Sequence, residues 1–324
     1  MDTDAISDKT NPAGQDLGLP LISIIIPCYN HSRFLRDSIV SARAQTYRPV
    51  EVIVVDDGST DNTSQIAADY PDVRCLRQRN QGPSAARNTG LQASRGRYVV
   101  FLDADDRLLP TALEVGLGSL KDHPSCAFVF GHCRLIGEDG SDLPTRNQPY
   151  IEKEHYLALL GENFIWTPGS VIYRRETFNT VGGFDPAVNA AADYELYLRI
   201  ARRFPIHCHG EVVVEYRKHP GNMTRNAALM LTATLAVLRS QWKHVKGHKP
   251  SEDVFRDGLR SRRMHYGDRL IHDTVSLNAS HRDWKRLLHG LILLLRYYPH
   301  GLARHLQLKL RALTGSAVKK SAMP

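Results

Sequence analysis

Three short runs of almost unbroken apolar residues constrain this chain more than any other feature. They are Leu21-Ile22-Ser23-Ile24-Ile25-Ile26, Val50-Glu51-Val52-Ile53-Val54-Val55 and Arg97-Tyr98-Val99-Val100-Phe101-Leu102. A strand with one wet face alternates, whereas a run this apolar is a strand covered on both faces, as in a parallel sheet. Helix-length segments separate the runs. Ser32 caps one that reaches about Gln45, with Phe34, Leu35, Ile39 and Ala42 on a single stripe. Thr60 starts a second, to about Tyr70, and Ser84 after Pro83 starts a third, to about Ala93. Val73 to Leu76 adds a short strand. Alternating strands and helices predict an α/β fold, Rossmann-like, with a mostly parallel twisted sheet and right-handed crossovers.

In such sheets ligands bind beyond the carboxyl ends of the strands. Three polar clusters sit at those ends, Pro27–Asn30, Asp56–Ser59 and Asp103–Asp106. Further along, the pattern predicts a helix from Pro110 to about Asp122, a strand at Ala127–Phe130 and a loop over 137–150. It then predicts a strand at Val171–Tyr173, a helix from Asp193 to Arg203 and a strand at Val212–Tyr216. From Thr224 onward everything reads helical, in segments 224–246, 251–275, 280–298 and 301–313.

Asp103-x-Asp105 after a buried strand is suited to a hard divalent cation, Mg²⁺ or Mn²⁺, held together with diphosphate oxygens. Acids gathered at one sheet edge repel one another unless a cation compensates them. Asp57 can accept a hydrogen bond from a nucleotide ring N–H or a ribose hydroxyl, and it can equally close an Asx turn or cap the next helix. No G-x-G-x-x-G follows the first strand, which ends Pro27-Cys28-Tyr29-Asn30, and there is no G-x-x-x-x-G-K-[ST]. The phosphate cradles of dinucleotide-binding dehydrogenases and P-loop enzymes are therefore absent.

The formal net charge of +8 over 324 residues is unevenly spread. Residues 225–324 hold 19 Lys+Arg against 6 Asp+Glu, a net of +13, which leaves −5 for residues 1–224. That shift places a boundary near 222; with the polar, Pro- and Gly-containing stretch 1–19 read as a loose arm, it divides the chain into 1–19, an α/β domain over 20–222 and a basic helical region over 223–324. The five cysteines are odd in number and widely spaced, which fits a reducing compartment. Asp2, Asp4, Asp8 and Asp16 do not read as a signal peptide, and Leu291–Leu295 is far short of a spanning helix.

Four stretches carry a resemblance. They are Ile24–Asn30, Val54-Val55-Asp56-Asp57-Gly58-Ser59-Thr60-Asp61, Gln81-Gly82-Pro83-Ser84-Ala85-Ala86-Arg87-Asn88-Thr89-Gly90 and Phe101-Leu102-Asp103-Ala104-Asp105-Asp106. In this order and spacing, residues 22–110 resemble an inverting family 2 glycosyltransferase of the GT-A fold. The likeness continues less sharply through Gly182-Gly183-Phe184-Asp185 and Asp193–Arg199 to about His219. It implies that Pro27, Tyr29 and Asn30 line the nucleotide and that Asp57 binds the base, usually uracil. It also implies that Arg87 lies near the nucleotide or diphosphate, that Asp103 contacts ribose or donor sugar, and that Asp105 ligates the metal. Asp193 matches the catalytic base, although Ala192 stands where many members have Glu.

The chemistry independently calls for such a base. Inversion requires the acceptor hydroxyl to attack opposite the leaving diphosphate, and a carboxylate on that face takes its proton. His219 can add a metal ligand, touch the diphosphate or stay a surface residue. Trp166 can wall an acceptor sugar or belong to the core. In the last hundred residues, Trp284, Leu287, Leu288, Leu291, Ile292, Leu295 and Tyr298 follow helical spacing behind Ser280-x-x-Asp283. Leu302, Leu306, Leu310 and Leu313 continue the pattern, with Arg282, Lys285, Arg286, Arg296, Arg304, Lys309 and Arg311 among them. Such basic amphipathic helices lie on anionic membrane surfaces, or else pack on the catalytic domain with their charges solvated. No nucleic-acid reader fold is recognisable.

The expectation is thus a metal-dependent inverting glycosyltransferase, cytoplasmic and peripheral at the inner membrane face. It would move a sugar from a nucleotide-sugar donor, UDP-linked by the resemblance, to a hydroxyl of a lipid-linked or polysaccharide acceptor. The competing expectations are a non-catalytic scaffold that kept the fold, and a sugar-nucleotide pyrophosphorylase, whose Gly-rich lysine signature is missing from residues 20–40.

Overall fold

The structure, a computed structural model, describes residues 18–279 and 284–320, and of 276–279 and 310–320 the backbone alone. Residues 1–17 of the expected arm, the Ser280/Asp283 cap pair with Arg282, and the side chains of Leu310, Arg311 and Leu313 lie outside the described residues. The elements run β1 Ile22–Cys28, α1 Ser32–Arg43, β2 Val50–Asp56, α2 Thr63–Ala68, β3 Val73–Arg77, α3 Pro83–Ala93, β4 Tyr98–Phe101, β5 Arg107–Leu108 and α4 Ala112–Asp122. They continue with β6 Phe128–Ile136, β7 Asp142–Leu143, α5 His155–Gly161, β8 Val171–Arg174, α6 Thr177–Val181, α7 Ala192–Ala201 and β9 Ile206–Arg217. The helices α8 Ala227–Ser240, α9 Trp242–Val245, α10 Lys249–Ala279, α11 Trp284–Tyr297 and α12 Pro299–Lys320 complete the chain.

Among the described residues nine strands form one sheet of order β3-β2-β1-β4-β8-β6-β9-β5, with β7 on β6. The half β3-β2-β1-β4 is parallel, in the register Ile24–Val52 and Ile24–Val100. Ile22, Ile24, Ile25 and Ile26 are all fully buried, as the unbroken apolar run requires of a strand covered on both faces. Beyond β4 the sheet turns antiparallel: β8 pairs with both β4 and β6, and β5 pairs with β9. Glu215 on β9 ties this half together, receiving Arg107 Nε of β5 at 2.6 Å and the Arg134 guanidinium of β6. The sheet is therefore mixed, with helices flanking it.

Ser32 does not cap α1. It is the first helical residue, and its N–H is taken by Asp61 Oδ2 at 2.9 Å, so a neighbouring loop supplies the acceptor. The helix expected from Thr60 is only Thr63–Ala68, and β6 and β9 are longer than the apolar pattern indicated.

By packing, the chain divides into two units. The first holds residues 1–134, 167–183 and 206–216; the second holds 135–166, 184–205 and 217–324. The stretch 20–222 read as one domain thus contributes to both. In the second unit, α8, α10 and α11 close a core of Ala227, Leu231, Leu235, Leu270, Ile271, Leu293 and Leu294, with Tyr297, Tyr298 and Leu302 against it. Asn226 caps α8 by accepting from Leu229 N at 3.0 Å. Gly258 lets α10 lie directly on α5, since a Cβ there would stand 1.9 Å from the Leu160 carbonyl oxygen. Among the described residues, no helix is long and apolar enough to cross a membrane.

Candidate functional site

In the first unit the three predicted clusters lie at the carboxyl ends of β1, β2 and β4. Adjacent parallel strands deliver them side by side, with Cys28 in register with Asp56. The loop after β1 is welded to the loop after β2. Asn30, in the left-handed region at φ 54°, accepts from Thr60 N at 2.8 Å and donates its own N–H to Ser59 Oγ at 3.0 Å. Asn30 therefore already works as a loop tie. Tyr29 beside it is 47% exposed, and Pro27 is half-buried.

The two acids after β2 divide their work. Asp56 is buried and accepts from Ser59 N at 2.8 Å and from the Ser64 hydroxyl. Asp57, 3% exposed, accepts from Gln78 Nε2 at 2.7 Å, Gln81 N at 2.9 Å and Gly82 N at 2.8 Å. It holds the 78–82 segment that opens α3. Gly58 makes room for this crossing: its φ is +76° and a Cβ would stand 2.8 Å from Asn80 N. The local turn is closed by Asp56, through Ser59 N, and not by Asp57, which instead ties a distant segment; a carboxylate with three donors keeps about one acceptor position for a ligand.

Arg87 of α3 is buried and binds Asp103 Oδ1 at 2.6 Å. Burial pushes the Asp103 carboxyl above its ordinary range, Arg87 pulls it back, and the Asp105 carboxylate pushes it up again. Asp103, Asp105 and Asp106 bring carboxylate oxygens within 4.8 Å of one another. Asp105 and Asp106 are both buried. Crowded, desolvated carboxylates of this kind fit a hard divalent cation, which replaces mutual repulsion by attraction. Asp106 is also fixed from below by the Thr167 hydroxyl at 2.7 Å. Thr167 lies 61 residues from Asp106 in a segment with no acidic or motif signature, so spacing gives no signal of that contact.

The remaining predicted residues belong to the second unit. Asp193 lies one residue inside α7, not at its cap: the helix starts at Ala192 after Ala191, which has φ 59°. Its Oδ1 accepts from Tyr194 N at 2.8 Å, and the side chain is half-buried. Tyr194 is buried and donates its hydroxyl to the Leu159 carbonyl of α5 at 2.5 Å, which pins this turn of α7. Burial raises the Tyr266 hydroxyl of α10, Arg262 and Arg269 oppose, and the Asp193 charge raises it further, so α10 reaches the surroundings of Asp193. Sequence spacing gave no signal of that.

His219 is 1% exposed, which removes the surface-histidine alternative. Its Nδ1 accepts from Gly221 N at 3.1 Å, and its own N–H goes to Asn222 Oδ1 at 2.6 Å. Trp166 is half-buried and belongs to the same unit.

The sequence profile described as Glycosyl transferase family 2 matches residues 23–182. An uncharacterised glycosyltransferase of Rickettsia prowazekii is 32% identical over 219 residues, which cover 66% of this chain and 69% of the relative. The chondroitin synthase of Escherichia coli is 34% identical over 193 residues, 58% of this chain and 27% of that enzyme. Against the first such relatives the chain spans about a third of their length. Among solved structures, S. aureus TarS 1–349 in complex with UDP-GlcNAc superposes with a TM-score of 0.61 at 20% identity, over 83% of this chain and 79% of that one. The mannosyltransferase PcManGT of Pyrobaculum calidifontis, in complex with GDP-Man and Mn²⁺, gives 0.58 at 20% identity over 94% and 88%. At such identity the likeness speaks for the fold.

Proposed function

The chain belongs to glycosyltransferase family 2, a transferase with the GT-A fold, and on that premise we propose that it carries a sugar from a nucleotide-sugar donor to an acceptor hydroxyl with inversion. The donor is UDP-linked in this reading, and the acceptor is a lipid-linked or polysaccharide glycan. The observation that carries the proposal is the cluster of Asp103, Asp105 and Asp106 at the carboxyl end of β4, with Arg87 on Asp103.

Tyr29 offers the exposed ring on which a base stacks, with Pro27 beside it. Asn30 and Asp57 hold the two loops that frame the nucleotide, and the remaining acceptor position of Asp57 suits a ring N–H. Arg87 keeps Asp103 oriented toward ribose and donor sugar while setting a positive charge near the diphosphate. Asp105, with its neighbours Asp103 and Asp106, would hold Mg²⁺ or Mn²⁺, and the bound cation supplies charge neutralisation for the leaving diphosphate.

Asp193 is the general base. Its half-buried carboxylate, held by Tyr194 N, takes the proton of the acceptor hydroxyl as the new bond forms. Ala192, where many family members have Glu, is buried at the start of α7. His219 would add a metal ligand or touch the diphosphate. Trp166 would face the acceptor sugar. The experiment is nucleotide release across a panel of sugar nucleotides, with Mn²⁺ or Mg²⁺ and with chelator. Metal-dependent release with one donor class supports the reading. Chelator-insensitive release would remove the cation from it.

A further inference from the structure

The bundle in the second unit uses only part of the apolar surface of its last helices. In α11 it takes Gly290, Leu293 and Leu294, which are buried against α8 and α10. Four large apolar side chains of the same helix stay outside: Trp284 is 69% exposed, Leu288 48%, Ile292 53% and Leu295 63%. Their spacing of four, four and three residues puts them on one continuous stripe. Leu306 and Leu308 of α12 are exposed as well. Scattered exposed leucines are ordinary, but a contiguous stripe of this size marks a surface that meets something apolar.

The charge around the stripe says what that is. From Trp284 to the end of the chain there are eight Lys+Arg and no Asp or Glu. Lys285, His289 and Arg296 fall along one edge of the stripe by the same helical periodicity. Lys285 and Arg296 lie over the rings of Trp284 and Tyr297, at 5.9 and 5.3 Å. An apolar stripe edged by cations, on helices α11 and α12 that carry no acid of their own, is complementary to an anionic bilayer surface, where the side chains enter the acyl boundary and the cations stay at the headgroups.

We propose that α11, through Trp284, Leu288, Ile292 and Leu295, is the face by which this protein lies on an anionic membrane. The α8–α10 core holds that face outward as a preformed surface, so docking requires no refolding of the helix. The proposal stands apart from the assignment of Asp193 and Asp105, because it concerns binding that needs neither donor nor catalysis.

The test is flotation of the full chain with phosphatidylglycerol–phosphatidylcholine vesicles against phosphatidylcholine alone, at low and high salt. Anionic vesicles should bind about tenfold or more protein, and high salt should release it. Leu288→Ser, Ile292→Ser and Leu295→Ser together should lower binding by about tenfold or more. These side chains are exposed, so the triple variant should melt with the wild type. Lys285→Glu with Arg296→Glu should remove the preference for anionic lipid and provides a second, independent arm. Equal binding to both vesicles, no binding to either, or an unaffected triple variant would overturn the proposal. So would a concentration-dependent dimer that the triple variant abolishes, since the stripe would then belong to a second copy of the chain.

Discussion

Replacing Asp57 by Asn separates a loop organiser from a pure base ligand. The carboxylate accepts two donors on Oδ1 and the Gly82 N–H on Oδ2 at 2.8 Å, in a position 3% exposed to solvent. In the amide, the oxygen can keep Gln78 and Gln81, but the NH₂ group then faces the Gly82 N–H, donor against donor. One hydrogen bond to a charged acceptor is lost, worth about 1.5–3 kcal/mol, and the other two weaken to neutral ones. A total near ~3 kcal/mol is expected, which moves the melting midpoint of a unit this size by about 6–12 °C. The assay is thermal melting by circular dichroism, alongside the KM for donor. Asp57→Asn should lose both stability and donor affinity, because the 78–82 segment that opens α3 comes loose. If the variant melts within about 1 °C of the wild type, on the same scale, the organising role is refuted, whatever happens to KM.

Asp105→Ala should abolish metal-dependent binding of the donor while the protein stays folded, measured by calorimetric titration of nucleotide with and without Mn²⁺. Acid should destabilise the first unit. Burial, with His207 and His132 nearby, pushes the His209 imidazole down to about 4, so the folded state binds fewer protons than the unfolded chain between there and about 6.5. Stability is therefore present above the unfolded value and is lost as pH falls toward 4, by about 2 kcal/mol at pH 5. Urea midpoints at the two pH values measure it, and His209→Leu should flatten the dependence. Gly258→Ala should cost about 1–3 kcal/mol or more by driving α10 away from the Leu160 carbonyl, a loss that chemical denaturation reads directly.

The parallel half of the sheet was legible because β1, β2 and β4 are covered on both faces and leave runs without polar interruption. The antiparallel half was only partly so. Two-residue strands such as Arg107–Leu108 and Asp142–Leu143 have no periodicity to read, and the first half of β9 carries His207 and His209 where an apolar run would be sought. In the site, the Asp103–Asp106 cluster followed from its place at a strand end. What did not follow were the bonds that cross long stretches of chain: Asp61 onto Ser32 N, Asp57 onto the 78–82 segment, and Thr167 onto Asp106. A side chain able to bind a ligand and one able to tie two loops have the same letter, and only coordinates separate the roles. The C-terminal helices show the same limit in reverse. Their amphipathic pattern was plain, but which leucines close a core and which stay outside depended on the partners α8 and α10.

The account rests most heavily on Asp193 as the base that deprotonates the acceptor. Asp193→Asn keeps the shape and leaves Oδ1 able to accept from Tyr194 N, so α7 and its neighbours should be unchanged. Single-turnover transfer to acceptor, measured beside equilibrium binding of donor, isolates the proton transfer. The account predicts a loss of about 10²–10⁴-fold in the transfer rate with donor affinity unchanged. Transfer near the wild-type rate in a variant that binds donor normally would contradict it.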